Sequence, residues 1–343
     1  PETRDSIVIE DDGHGMSLKD ILTGWLEIGS SIKRRRTRSR IGRRVLTGSM
    51  GIGRLAAFSL ANVMVAETRQ RSGPCRSFLL DFRKITTVKD LSKATVSVTV
   101  VHDKLFKHGT IITLRDLKWW PSDFQEITLR LSALASPREI TDFEIFVESE
   151  GKIERIEPEK DLPAAPLTVS SKVDSEGSAI TTIRANTALY EGSLPKTQWV
   201  SDHEGELYPD LQNVTVEANW YALGERPGRR YWKTTLETQR TLREISGIRI
   251  YRDSIRVLPY GGRGEDWLEL EKRYVAAGPQ SRKPRPSQII GWVRISREKN
   301  PALGDVANRQ GMKDNPGFRQ LKKFCRSAFD FLAEVRREIE PIV

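Results

Sequence analysis

Cysteine is nearly missing from this chain. The two in 343 residues, Cys75 and Cys325, lie far apart and outside any CxxC or Cys/His spacing, which excludes a disulfide scaffold. Histidine is almost as scarce, and the four are scattered, so the sequence offers no zinc site. No uncharged apolar run reaches the roughly 18 residues of a membrane span. The opening Pro1-Glu2-Thr3-Arg4-Asp5 also lacks the apolar core of a signal peptide. Together these absences predict a soluble protein of a reducing, cytoplasmic compartment with no membrane partner. Positive charge is concentrated in one segment. Twelve residues hold eight bases (Lys33, Arg34, Arg35, Arg36, Arg38, Arg40, Arg43, Arg44) and no Asp or Glu, and without those eight, 48 bases face 46 acids. The net charge of +10 is therefore mostly one local feature, which excludes a uniformly basic coat protein.

What is present suffices for two domains, since 38% of residues are hydrophobic and domains run to roughly 150 residues. Residues 6–10 read as a strand ending in the glycine turn Asp11-Asp12-Gly13-His14-Gly15-Met16. Ser17 can cap a following helix, with Leu18, Ile21, Leu22, Trp25 and Leu26 on one face. After the basic run come Gly48, Gly51 and Gly53, then a short helix at 54–62. Strand-like runs follow at 63–66, 78–82, 95–101 and 110–114, then a helical stretch at 121–134 and a strand at 143–147. Strands mixed with segregated helices predict an α+β fold. The segment 151–178, rich in Pro, Ser and charge over 157–178, is expected to be a linker or insertion between a domain at 1–150 and a second at 179–343. The second should hold strands at 179–184, 214–221, 248–251, 255–258 and 289–295 and a helix at 234–245. It should close with an amphipathic helix carrying Phe318, Leu321, Phe324, Cys325, Ala328, Phe329, Leu332 and Val335 on one side.

Phosphate binding needs converging backbone N–H groups that no side chain obstructs, and Gly48-x-x-Gly51-x-Gly53 ahead of a helix meets that demand. It is no Walker A loop, because no Gly-Lys-Ser/Thr follows. It does contain Gly51-x-Gly53-x-x-Ala56, one spelling of the dinucleotide fingerprint, with Glu67 as the ribose acid of an NAD-dependent oxidoreductase. That acid comes early, and the residues before Gly48 make a poor first strand. A merely flexible loop remains the third reading.

Taken with Asp11-x-Gly13-x-Gly15-Met16 and with His108-Gly109-Thr110 at a later strand, this loop resembles the motif set of the GHKL ATPases. That superfamily holds gyrase, the 90-kDa heat-shock chaperone, histidine kinases and MutL, and the chaperone-like and MORC-like members are the nearest in pattern. The resemblance implies a two-layer α/β sandwich of Bergerat type that binds ATP with Mg²⁺, followed by a transducer-type α/β domain. It places the Asp11 carboxylate on the adenine amine, the Thr110 hydroxyl behind it, and Gly13, Gly15, Met16, Gly48, Gly51 and Gly53 around the nucleotide. A carboxylate there accepts from adenine and would repel the carbonyl of guanine. The resemblance further implies a basic residue from the transducer at the γ-phosphate, Arg309 or alternatively Lys313. Relatives close a lid on ATP and dimerise, clamping DNA or a protein client, in roles that include bacterial defence and repair.

The sequence departs from the family in one respect. The family's helix with a general-base Glu and an Mg²⁺-binding Asn lies upstream of the Asp-x-Gly-x-Gly strand, and only ten residues precede Asp11. Missing upstream sequence is the expectation, no general base or metal ligand is named, and a scaffold that responds to ATP without hydrolysis stays open. The basic run (Lys33, Arg34, Arg35, Arg36, Arg38) has three readings: screening of the triphosphate, contact with DNA phosphates, or a solvated segment. No aromatic interleaves it, which weakens stacking on single strands.

Overall fold

A computed structural model describes residues 6–27, 38, 54–87, 95–102, 106–118, 127, 128, 131, 144–149, 151–156, 162–190, 194, 196–203, 205–222, 235–262, 264–304, 306 and 311–339. The chain divides into two units, Pro1–Phe124 and Gln125–Val343, both mixing strands with helices in the α+β manner.

The first unit carries strands β1 (Ser6–Asp11), β2 (Ala61–Arg69), β3 (Cys75–Asp81), β4 (Val98–Val101) and β5 (Gly109–Leu117), with helices α1 (Arg54–Leu60) and α2 (Phe82–Thr87). They form one sheet in the order β1-β5-β2-β3-β4, every pairing antiparallel. Directly paired residues project to the same side, so the register sorts side chains into rows. Ile7, Leu114, Met64 and Leu80 form one row, and Ile9, Ile112, Ala66, Phe78 and Val98 the next. These rows face the core, where Met64, Ala66, Phe78 and Leu114 are buried. Asp11, Thr110, Thr68 and Arg76 form the following row, so polar groups end the apolar face.

Two local expectations change. The segment after Ser17 winds as a π-helix over Asp20–Trp25. Ser17 bonds to its first residue from the turn before it: the Ser17 hydroxyl accepts from the Asp20 N–H at 3.1 Å, and Asp20 Oδ2 accepts from the Ser17 N–H at 3.0 Å. The Leu26 N–H donates to the Ile21 carbonyl five residues back. In this wider turn Ile21, Trp25 and Leu26 meet the core, while Leu18 and Leu22 stay exposed. Phe82, expected to end a strand, begins α2 instead. Asp81 Oδ1 accepts the Arg83 N–H at 3.1 Å, and the Phe82 ring packs edge-on to Phe58 at 5.1 Å. The helical stretch at 121–134 lies, apart from 127, 128 and 131, outside the described residues.

In the second unit, β6 (Ile145–Ser149) and β7 (Lys152–Ile156) form a hairpin. A seven-stranded sheet follows, built from β8 (Leu167–Val173), β9 (Ala179–Ala185), β10 (Gln198–Ser201), β11 (Thr215–Trp220), β12 (Gly247–Arg252), β13 (Ile255–Val257) and β14 (Ile289–Ile295). Its order is β10-β9-β8-β11-β14-β12-β13, antiparallel except for the parallel pair of β12 and β14. Helices α3 (Leu236–Ile245), α4 (Leu270–Ala277) and α5 (Pro316–Ile339) complete it. Alternation along β14 separates two cores: Ile289, Val293 and Ile295 join the apolar side of α5, while Ile290 and Trp292 join Leu242 of α3. All eight residues expected on the apolar side of α5 are buried.

The stretch 151–178 is not a linker in this structure. It supplies β7 and β8, and β8 pairs with both β9 and β11. The reason is the alternation Leu167, Val169, Ser171, Val173, whose members are all buried. Prolines and charges confined to its approach mask that period from composition.

A buried polar chain ties α5 to this sheet. Thr181 Oγ1 lies 2.7 Å from Ser171 Oγ and 2.6 Å from His203 Nε2, and His203 Nδ1 lies 3.2 Å from the Tyr208 hydroxyl. Tyr208 donates to Glu206 at 2.7 Å, and Lys323 of α5 pairs with the same carboxylate at 3.1 Å. Burial holds the His203 pKa below its usual 6.5, against the opposing charges of Glu206 and Asp202. Between the depressed folded value and 6.5 the unfolded chain binds more protons than the folded one. Stability contributed here is thus full above pH 6.5 and falls as the pH drops below it. The unfolding midpoint of this unit should decline from pH 7 to pH 5.5, and His203→Gln should flatten that slope. An equal slope in both proteins would remove His203 as its source.

Candidate functional site

The Asp-x-Gly-x-Gly turn leaves the end of β1 and lies against the start of β5 and the end of β2. Asp11 pairs in register with Thr110, which pairs with Thr68. Asp11 is exposed, and its Oδ1 accepts the Gly13 N–H at 2.9 Å, an Asx turn. A Cβ on Gly13 would lie 2.6 Å from that oxygen. Gly15 is buried with φ +65°, and a Cβ there would lie 1.9 Å from the Arg69 carbonyl oxygen. Close approach and handedness both demand glycine. Gly109, with φ +121°, has the same relation to the Asp11 carbonyl, again at 1.9 Å. The Met16 N–H donates to Thr68 Oγ1 at 2.8 Å, and His108 Nδ1 lies 2.9 Å from the Gly13 carbonyl.

Two of the three sequence motifs, some 95 residues apart, thus form one edge. Asp11, Gly13, Gly15, Met16 and Thr110 sit together around the ends of β1, β5 and β2. Gly48, Gly51 and Gly53 lie outside the described residues, as do Lys33, Arg34, Arg35, Arg36 and Arg309. Arg38 is described and exposed. Lys313 belongs to the second unit, exposed, with its N–H on the Gly304 carbonyl at 2.9 Å.

Thr68 is the contributor that motif reading passes over. Thr68 is fully buried, yet it ends an inward alternation, Met64, Ala66, Thr68, where an apolar residue is the norm. A hydroxyl in that position is a legible signal of polar business at the strand end.

The Asp11 carboxylate is exposed at the end of β1. The edge offers an exposed carboxylate in register with a hydroxyl, both able to accept hydrogen bonds, next to the apolar rows. An exocyclic amine on a flat ring suits that arrangement, whereas a carbonyl would face two acceptors. The adenine end of ATP is therefore compatible with the residues present. Among the described residues no group of three His, Cys, Asp or Glu converges as a metal cluster, and no described side chain is assigned to Mg²⁺.

The sheet also corrects the dehydrogenase reading. A dinucleotide fold needs consecutive parallel strands joined by helices, whereas β2, the strand carrying Glu67, is antiparallel to both neighbours. Glu67 projects to the side opposite Thr68, in a row with Glu10 and Ile111. Among the described residues no helix is long and apolar enough to cross a membrane. No curated protein is significantly similar to the chain. Residues 1–110, from before β1 through Thr110, match the model of the histidine kinase-, DNA gyrase B- and HSP90-like ATPase family, and this match supports the GHKL superfamily and an ATP-binding, ATPase-type function for the first unit.

Proposed function

We propose that the first unit holds ATP with its adenine against Asp11 and Thr110, and that nucleotide occupancy drives a clamp. The observation carrying this reading is the row Asp11, Thr110, Thr68 at the end of the antiparallel sheet, closed by Gly13 and Gly15. Bound there, ATP would supply the phosphoryl groups whose loss separates two states of the clamp. Asp11 accepts the amine proton, Thr110 stands beside it, and the Gly15 turn lets the backbone approach the ring. The family resemblance assigns Gly48, Gly51 and Gly53 to the phosphates and Arg309, or Lys313, to sensing the γ-phosphate from a transducer-type second unit. A closed state can be favoured only through contacts that the open state lacks.

On the same proposal ATP promotes a homodimer that grips DNA or a protein client, in bacterial defence or repair. The basic run at Lys33, Arg34, Arg35, Arg36 and Arg38 is the docking segment for DNA. Mg²⁺ accompanies the triphosphate, as is typical of the family. A scaffold that binds ATP without turnover is the second reading, which a measurement of ATP hydrolysis separates from the first.

Calorimetric titration of Asp11→Asn tests the adenine role. The amide keeps the side chain's size but is a poorer acceptor, so ATP binding should weaken by about 1 to 3 kcal/mol while the thermal midpoint holds. Unchanged ATP affinity in the folded variant would remove Asp11 from the site.

A further inference from the structure

We infer that Thr68 is the positioning residue of the adenine subsite, setting which way the Thr110 hydroxyl points; this rests on the adenine reading above. Thr68 is fully buried on β2, and its single hydroxyl reaches Met16, Gly109 and Thr110. Oγ1 accepts the Met16 N–H at 2.8 Å, donates to the Gly109 carbonyl at 3.1 Å, and lies 3.2 Å from Thr110 Oγ1. One hydroxyl has one proton and two lone pairs. The Met16 N–H can only donate and the Gly109 carbonyl can only accept, so those two partners consume the proton and one lone pair. The remaining lone pair faces Thr110, whose hydroxyl must then donate inward to Thr68.

That direction has a chemical consequence. With its proton turned inward, Thr110 presents lone pairs beside Asp11, its partner in register. The edge then offers acceptors only, which favours an amine at the purine 6-position over a carbonyl. Without the Thr68 hydroxyl, the Thr110 proton loses its inward acceptor and turns toward the ligand side, where a donor would welcome a carbonyl. Thr68 touches no nucleotide in this account. It acts through Thr110 and through the Met16 turn, from a position no sequence motif includes.

The test is a titration of ATP and GTP against the full chain carrying Thr68→Val, Thr68→Ser, Thr110→Val and the Val/Val double variant. Thr68→Val should weaken ATP about tenfold, the size of one damaged buried hydrogen bond, and narrow the preference for ATP over GTP. Thr68→Ser, which keeps the hydroxyl, should retain both. The double variant should lose no more than the worse single one, because the two residues act in series. Wild-type affinity and preference in Thr68→Val, loss in Thr68→Ser equal to that in Thr68→Val, or additive losses in the double variant would each overturn the inference. If Thr68→Val does not fold, Thr110→Val and Thr68→Ser decide: the first must narrow the preference and the second must keep it. A wild-type chain that ignores ATP would sink the adenine reading itself. A chain that binds ATP through Asp11 but tolerates Thr68→Val sinks only the role of Thr68.

Discussion

Gly15→Ala should abolish ATP binding and destabilise the first unit by about 3 kcal/mol or more. Two effects add. An alanine at φ +65° occupies the left-handed region at a cost of about 1 to 2 kcal/mol. Its Cβ would also sit 1.9 Å from the Arg69 carbonyl oxygen and 2.4 Å from the carbon behind it. Both atoms are backbone at the end of β2, so neither can rotate aside. Relief requires lifting the turn, which parts the Met16 N–H from Thr68. Gly13→Ala offers the instructive contrast, since its only close neighbour is the Asp11 carboxylate, 2.6 Å from the new Cβ at Oδ1. A side-chain end can swing, so that variant should keep its fold and lose ATP. Gly73→Ala, with nothing within 4 Å, should change neither. Denaturant titrations with calorimetric ATP binding separate the three, and a Gly15→Ala chain as stable as wild type would show that the turn is looser than described.

Phe324→Ala should cost the second unit about 3 to 5 kcal/mol. The ring is completely buried on α5, 5.4 Å from the Tyr208 ring and 6.1 Å from His203. Its removal opens a cavity whose walls are strands and a 24-residue helix, elements that collapse poorly around a void. It also loosens the packing that excludes water from the His203–Tyr208–Glu206 chain. The pH dependence described for His203 should therefore weaken in this variant, because a solvated imidazole returns toward its ordinary pKa. Equilibrium unfolding in urea measures the loss, and a change under about 1.5 kcal/mol would mean that α5 is not clamped at this point.

The sequence by itself determined much of the second unit and the identity of the motifs. Phe318 through Val335 fall on one side of α5 because helical spacing is a local property, readable wherever apolar residues recur. Asp11, Gly13, Gly15 and Thr110 were singled out through the order of the motifs taken together, a glycine turn after a strand and a Gly-Thr at a later one. Neither strand β8 nor helix α2 was legible. In the first, prolines and charges before Leu167 outweighed a four-residue alternation in composition. In the second, a helix of six residues leaves too short a period to see, and its start depends on Asp81 and on the Phe58 ring.

Only the tertiary structure decided that Asp11, Thr110 and Thr68 share a row. Register between strands some 40 to 100 residues apart is set by the packing of whole apolar faces. No local pattern records which residue a strand will meet. The antiparallel direction of β2, which removes the dinucleotide reading of Gly51 and Glu67, is likewise a property of the assembled sheet. The same holds for Gly15 and Gly109: sequence shows that they are glycines, but the necessity comes from carbonyl oxygens of Arg69 and Asp11 brought against them by the fold.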